Sequence, residues 1–372
     1  MLLTSIPHRF LFLDSLRGIA ALYVVIFHFY SILKAKTTFV LPGLIDTVFL
    51  AGTVGVQIFF VLSGFVIAYS IYQQNITLSY LGRFFVRRSI RLDPPYWAAI
   101  ILTLSVAFCS VWLFTKPIDT LPTWQELMAN LFYLQDFLQI ERIIQVSWTL
   151  CLEIQLYLFF AAITGFLFWI QKTCKFKMKD KVFDSPIFII SFGSLFLFSL
   201  FQQLNLAFLQ HIPGLFTPYW YNFFIGSLLC WIHMRALSVR YYWMCCVLLI
   251  LFLLITSNKQ VGETLAISLI IYWVGVKGRL HNMLAFQPFQ YLGKVSYSLY
   301  LTHWIFAGKL IDALARRYAD KMDMALGIAL LVVSLAGALI TAHFFYQWIE
   351  YPSLCWSQKL KRKRQLSMES IN

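Results

Sequence analysis

The chain has 372 residues, of which 60% are hydrophobic and 12% charged, against roughly 25% charged in an ordinary soluble domain. Lysine and arginine outnumber aspartate and glutamate 30 to 16, for a formal net charge of +14. Apolar runs long enough to cross a bilayer recur along most of the sequence, which excludes a large soluble domain and predicts an all-α polytopic membrane protein.

The first apolar run, about residues 10–32, carries Asp14, Arg17 and His28. It is long, holds two charges and lacks a small-x-small cleavage site, so it reads as a retained span rather than a signal peptide. At 100° per residue Arg17 and His28 return to about 20° of one direction, roughly 16 Å apart along a helix. With Asp14, Ala21 and Val24 they form a polar-and-small seam on a greasy helix. Ionisable groups at such depth are costly and usually face a protein interior or a wet cavity.

A second span, about 47–72, holds Gly55, Ser63 and Gly64, which allow close helix approach or a cavity for a thin ligand; packing alone explains them equally well. Next comes Arg83-Phe-Phe-Val-Arg87-Arg88-Ser-Ile-Arg91-Leu-Asp93-Pro94-Pro95, before a third span at 94–115 that the prolines would initiate. If this segment is helical, Arg87 and Arg91 share a face with Arg88 beside them. Guanidinium groups suit phosphate through their planar fork and permanent charge. Residues 116–146 read as a long loop with an interfacial piece at Trp124 to Leu138.

A fourth span at 147–171 brings Glu153 about 9 Å below its entry. His28, about 27 Å along the first span, would lie at a comparable level in the outer part of the membrane. A carboxylate there can hold an imidazole in the tautomer a general base needs. A structural hydrogen bond within the membrane, or a pairing of Glu153 with an arginine, is the alternative. Further spans follow at about 185–202, 214–234, 240–257, 261–276, 287–309 and 325–350, for about ten in all. Spans seven and eight are short, divided only by Ser257-Asn-Lys-Gln. His303, in the ninth, either helps line the outer mouth or is a structural histidine. His343 and Glu350, in the tenth, are read as packing and capping groups.

Orientation follows from the basic residues. With the N-terminus inside, the inner segments hold about twenty of the 30 lysines and arginines, which puts both termini in the cytoplasm. The charge therefore reads as topology and contact with anionic membrane lipids, not nucleic-acid binding, because the basic residues are scattered over short loops. The seven cysteines lack metal-ligand spacing, so neither a disulfide framework nor a metal site is expected. No 20–50-residue repeat and no inverted pair of broken spans is visible.

Six segments together resemble the acyltransferase-3 family of membrane O-acyltransferases, which includes O-antigen, Nod-factor and peptidoglycan acetylases. They are Leu13-Asp14-Ser-Leu-Arg17-Gly18 with His28; Gly55-Val-Gln-Ile-Phe-Phe-Val-Leu-Ser63-Gly64-Phe65; Arg87-Arg88-Ser-Ile-Arg91-Leu-Asp-Pro94; Ser147-Trp-Thr-Leu-Cys-Leu-Glu153; Ser296-Tyr297-Ser-Leu-Tyr-Leu-Thr-His303; and Glu350-Tyr-Pro352. They stand in the family's order from about residue 10 to 355. Two small departures are Leu92-Asp93, where Ile-Tyr is common, and Ile154-Gln155 after Glu153, where a second acid is frequent.

The resemblance implies an enzyme of the bacterial inner membrane that takes an acyl group, usually acetyl, from cytoplasmic acyl-CoA and passes it to a glycan hydroxyl on the far side. It maps the family's arginine-x10-histidine pair onto Arg17 and His28, its arginine-rich motif onto Arg87, Arg88 and Arg91, and its acidic residue onto Glu153. The expected organisation is an integral-membrane acyltransferase domain at 1–355 and a basic cytoplasmic tail at 356–372, without the hydrolase-like domain that some members append. Such stand-alone members often act on lipid-linked glycans, which makes lipopolysaccharide O-antigen the expected acceptor, with a homo-oligomer also compatible.

The resulting expectation is that Arg17, Arg87, Arg88 and Arg91 hold the phosphates of acetyl-CoA while the pantetheine arm follows the seam of the first span. His28, oriented by Glu153, then serves as base; a covalent acyl-histidine relay is the second route. Asp14, Ser63, Gly64, Tyr297 and His303 complete the expected site. Two readings of other classes compete: a transporter exporting an acylated or succinylated metabolite, and a non-catalytic subunit of a glycan-assembly complex.

Overall fold

The computed structural model describes residues 9–72, 74, 76–114, 121–173, 183, 185–204 and 212–369, with the backbone alone at 78, 110–114 and 361–369. Among these residues the regular structure is helical throughout, as the composition predicts. In chain order the α-helices are α1 (Leu11–Lys36), α2 (Gly43–Leu50), α3 (Val54–Ile71), α4 (Leu78–Phe114), α5 (Trp124–Leu131), α6 (Trp148–Thr173) and α7 (Pro186–Gln202). Then come α8 (Trp220–His233), α9 (Val239–Thr256), α10 (Lys259–Val276), α11 (Gln287–Thr302), α12 (Lys309–Arg317), α13 (Met324–Phe345) and α14 (Tyr351–Glu369).

Each apolar segment read from the sequence contains helix among the described residues. Six stretches among the described residues are long and apolar enough to cross a membrane: Leu11–Lys36, Gly43–Ile71, Ser79–Cys109, Gln145–Thr173, Val239–Thr256 and Met324–Leu360. Pro186–Gln202 is a shorter apolar helix. The first residues of the loop expected at 116–146, through 120, lie outside the description; its interfacial piece contains α5, closed at its start by a capping box between Thr123 and Glu126. The lysines at 175, 177, 179 and 181 also lie outside the described residues.

Two compact units share the chain. The first takes the N-terminal part through Ala20 together with Thr53–Ile76 and Glu153–Lys294; the second takes Ala21–Gly52, Thr77–Leu152 and the part from Val295 onward.

In the first unit, α3 and α8 touch backbone to backbone. A Cβ placed on Gly64 would lie 1.8 Å from the Phe223 carbonyl oxygen, and one on Gly226 would lie 1.8 Å from that of Val61. The Ser227 hydroxyl, buried beside this contact, donates to the Gly64 carbonyl at 3.1 Å. Of the two sequence readings of Gly64, close helix approach is the one realised. Gly18 and Gly293 make a second such contact between α1 and α11. The short divide between α9 and α10 has a local cause. Ser257 adopts a left-handed conformation (φ 52°), and Asn258 caps α10 by accepting from the Gln260 and Val261 N–H groups.

In the second unit, α4 corrects the expectation that Pro94 initiates the third span: the helix starts at Leu78 and runs through both prolines. A proline inside a helix leaves the carbonyl four residues earlier without its N–H donor. For Pro94 that carbonyl is Ile90, and the Ser353 hydroxyl donates to it at 2.6 Å. Ser357 donates to the Arg87 carbonyl at 2.9 Å, and Tyr297 donates to that of Leu92 at 3.0 Å. Ser353 of α14 thus supplies the donor that Pro94 withholds, Ser357 and Tyr297 add bonds to carbonyls on either side of it, and the arginine motif stays on one continuous helix. Helices α11 and α13 are each followed by a π-helical turn, Trp304–Gly308 and Tyr346–Glu350. One extra residue per turn at these places re-aims the side chains that follow, a feature often found at functional sites.

Candidate active site

The second unit brings His28 of α1 against His303, the residue at which α11 passes into its π turn. His28 Nδ1 lies 2.9 Å from His303 Nε2, with the two rings nearly parallel at 4°. His303 is fully buried and His28 half-buried. The Trp304 indole meets the His28 ring edge-on at 5.5 Å, which limits how far that imidazole can swing.

The tautomers of the pair follow from the acceptors around it. His303 Nδ1 lies 2.8 Å from the Tyr300 carbonyl oxygen and 3.1 Å from that of Leu299. Carbonyl oxygens only accept, so Nδ1 of His303 carries the proton. In the neutral ring Nε2 is then the acceptor, and the N–H it receives belongs to His28 Nδ1. His28 must therefore present its remaining nitrogen, Nε2, as a lone pair. That is the form a general base or nucleophile requires.

Tyr300 is itself held from the start of α6. Its hydroxyl meets that of Thr149 at 2.7 Å and donates to the Val146 carbonyl at 3.2 Å. A hydrogen-bonded line thus runs from Val146 and Thr149 through Tyr300 and His303 to His28, all inside one unit.

Arg87, Arg88 and Arg91 lie half-buried on α4, with Arg87 and Arg91 one turn apart as the spacing requires of a helix. Tyr297 is tied to the same stretch through the Leu92 carbonyl. Below the arginine motif, Asp93 accepts from Ser89 and from the Tyr133 hydroxyl. Glu350 is buried and accepts both the backbone N–H of Ser298 (3.1 Å) and its hydroxyl (2.5 Å). It ties the two π-bearing segments together, in line with the packing and capping role read from the sequence.

The other expected site residues lie in the first unit. Ser63 of α3 donates to Glu153 at 2.9 Å and meets the Tyr157 hydroxyl at 3.1 Å. Asp14 pairs with Arg17 at 3.1 Å, and the same guanidinium donates to the Gly293 carbonyl at 3.2 Å. Part of Arg17's hydrogen-bonding capacity is therefore spent on holding α1 to α11. Sequence reasoning singled out His28 and His303 separately, and missed that His303 orients His28. The one available signal was the Tyr300-x-x-His303 spacing, which lets a helical histidine reach a carbonyl three residues back.

The described residues thus hold a half-buried His28 imidazole oriented by His303 and an arginine-rich helix in an apolar helical chain. Neither a curated protein nor a solved structure matches the chain. The family comparison is specific: the acyltransferase-3 family model, described as an acyltransferase domain, matches residues 10–343. The chain belongs to the acyltransferase-3 family and is a membrane acyltransferase.

Proposed function

We propose that this acyltransferase moves an acetyl group from cytoplasmic acetyl-CoA to a hydroxyl of a lipid-linked surface glycan, the lipopolysaccharide O-antigen, in a bacterial inner membrane. The observation that carries the proposal is the hydrogen-bonded chain from the Tyr300 carbonyl through His303 to His28 Nδ1, which in the neutral pair leaves His28 Nε2 as a lone pair. A base of this kind removes the proton from a sugar hydroxyl as its oxygen attacks the thioester carbonyl carbon. The carbon–sulfur bond then breaks, and the imidazolium returns the proton to the departing thiolate. The products are the acetyl ester and free CoA, with His28 neutral again.

Arg87, Arg88 and Arg91 are the groups proposed to bind the phosphates of CoA, since each keeps its charge in a half-buried setting and can donate in a planar fork. The family resemblance also assigns Arg17 a role in donor binding. Glu153, which accepts from Ser63, is the acidic residue that the family resemblance assigns to the reaction. His303 acts on His28 as a positioning residue.

The test uses purified full-length protein in nanodiscs with labelled acetyl-CoA and lipid-linked glycan from the producing cells. Label appearing on the glycan, lost in His28→Ala protein of normal abundance, supports the reading. Undiminished transfer by that variant overturns the role of His28, and solute movement without CoA release would make the chain a transporter.

A further inference from the structure

Between α5 and α6 the second unit holds an open depression of about 410 Å³, walled by Gln135, Asp136, Gln139, Glu141, Arg142 and Gln145 with one apolar member, Ile140. Its walls are braced from beneath. The buried Asn130 side chain donates to the Glu126 and Glu141 carbonyls and accepts the Ile143 N–H. Gln135, also buried, donates to the Ser147 hydroxyl at 3.0 Å, and Gln139 donates to the Asp136 carbonyl at 2.6 Å. Tyr133 and Gln139 hold left-handed backbone conformations, φ 60° and 56°. Tyr133 also stacks on Tyr96 with centroids 4.5 Å apart. Left-handed conformations at two side-chain-bearing residues persist only where surrounding contacts over-determine them.

The chemistry of the walls selects among ligands. Arg142 is already paired with Asp136 at 2.6 Å, and Glu141 adds a further negative charge, so a phosphate would meet net repulsion. Among the described residues no group of three acids, histidines or cysteines is placed to hold a metal ion. Two exposed primary amides remain, Gln139 and Gln145, each with donor and acceptor capacity, beside two carboxylates and a guanidinium; the donors of the third, Gln135, are spent on Ser147 and Cys151. Neighbouring hydroxyls that both donate and accept, as on a sugar ring, match such a set.

The rim is apolar. Phe132 is 65% exposed, Phe137 and Leu138 52% each and Leu134 46%. Exposed apolar side chains interleaved with a polar pocket suit the edge of a bilayer, where the greasy groups enter lipid. The basic-residue asymmetry of the sequence assigns this loop to the non-cytoplasmic side. The pocket also adjoins the reaction machinery in sequence and in bonding: Val146 and Thr149, directly after Gln145, anchor Tyr300, whose carbonyl orients His303.

We infer that this depression is the acceptor subsite, binding the saccharide part of a lipid-anchored glycan through its ring hydroxyls. The inference rests on the acetyl-transfer reading for its biological meaning, but binding can be measured without it. The probe is the O-antigen polysaccharide of the producing strain, released by mild acid and end-labelled with a fluorophore, titrated against full-length protein in nanodiscs without any acyl donor. Maltohexaose serves as the control sugar.

Gln139 and Gln145 are exposed at the rim of the walls, so Gln139→Ala with Gln145→Ala removes hydroxyl partners without opening the core. Binding of the polysaccharide should weaken at least tenfold in the double variant, and Glu141→Gln alone should weaken it by a smaller factor. Equal binding by wild type and double variant, equal binding of maltohexaose, or no binding by the wild type would each overturn the assignment. If the wild type binds the polysaccharide through these residues yet transfers no acetyl group, the transfer reading fails and the saccharide site stands.

Discussion

His303 and His28 are joined through a single shared hydrogen bond, and its direction is set by a third group: the Tyr300 carbonyl obliges His303 to donate from Nδ1, so His28 must donate to His303 Nε2. Replacing His303 should therefore act on the quality of the base rather than on the binding of substrates. His303→Ala should lower kcat by about 10–100-fold with little change in the KM for acetyl-CoA, whereas His28→Ala should remove the base and cost on the order of 10²–10⁴-fold. In His303→Gln the amide oxygen can still accept from His28 Nδ1, so part of the loss should return. Steady-state kinetics on the three variants check this; equal loss in kcat and KM for His303→Ala would make its role structural.

The same hydrogen bonds give a sign for pH. The base is competent only when His28 Nε2 is unprotonated, so acid should switch activity off as that nitrogen takes up a proton. Initial rates should fall as the medium is made acid, and the acid limb should shift in His303→Gln, where the neighbouring imidazole is gone. A flat profile in both proteins would remove the imidazole from the rate-limiting step.

Arg88 and Arg91 offer a test of the donor side. Changing both to Gln keeps length and hydrogen-bonding capacity while deleting charge. Acetyl-CoA affinity should fall by ten-fold or more, because charge-assisted hydrogen bonds to phosphate are worth roughly 1.5–3 kcal/mol each. Glycan binding should change far less. Isothermal titration with each ligand separates the two effects, and an equal loss of both would reject the assignment.

Packing in the first unit predicts a structural variant with no direct bearing on chemistry. Gly226→Ala places a methyl group 1.8 Å from the Val61 carbonyl oxygen, which neither backbone can avoid without separating α3 from α8. Overpacking of this kind costs about 1–3 kcal/mol. Thermal unfolding in detergent should show a lower midpoint, while Gly337→Ala, whose added Cβ would meet open space, should not.

A pair near α12 gives a charge-dependent stability term. Burial alone would raise the Asp312 carboxyl, but the Lys36 and Arg316 groups that bond to it outweigh that and hold it below the ordinary carboxylate range. A depressed carboxyl contributes stability above its unfolded value and loses it as pH falls through the folded one. Asp312→Asn should thus lower stability near neutral pH by up to about 1 kcal/mol, the scale of a partly exposed ion pair. The difference from wild type should begin to shrink as the pH falls toward about 3.8, the carboxyl's unshifted value, and vanish only below the depressed folded value.

Much of this molecule is legible along the chain, because hydropathy is local. Lipid-length apolar runs predict helices whatever they pack against, and each apolar segment contains helix among the described residues. The divide at Ser257-Asn258 was visible for the same reason, since caps and left-handed turns depend on neighbouring residues. His28, Arg17, Glu153 and the arginine motif stood out because ionisable groups in an apolar segment need a reason to be there.

Other features depend on partners far away in sequence. Pro94 and Pro95 read locally as a helix start, yet α4 passes through them, and Ser353, more than 250 residues later, serves the carbonyl that Pro94 leaves open. The protonation pattern of His28 is set by a residue 275 positions away and by the carbonyl behind it. The amides of the loop after α5 acquire a shared cavity only once Asn130 and two left-handed residues fold it. Periodicity and composition carry the solvent and the elements; hydrogen-bond direction, close backbone approach and pocket shape arise when distant segments meet, and only the tertiary structure decides them.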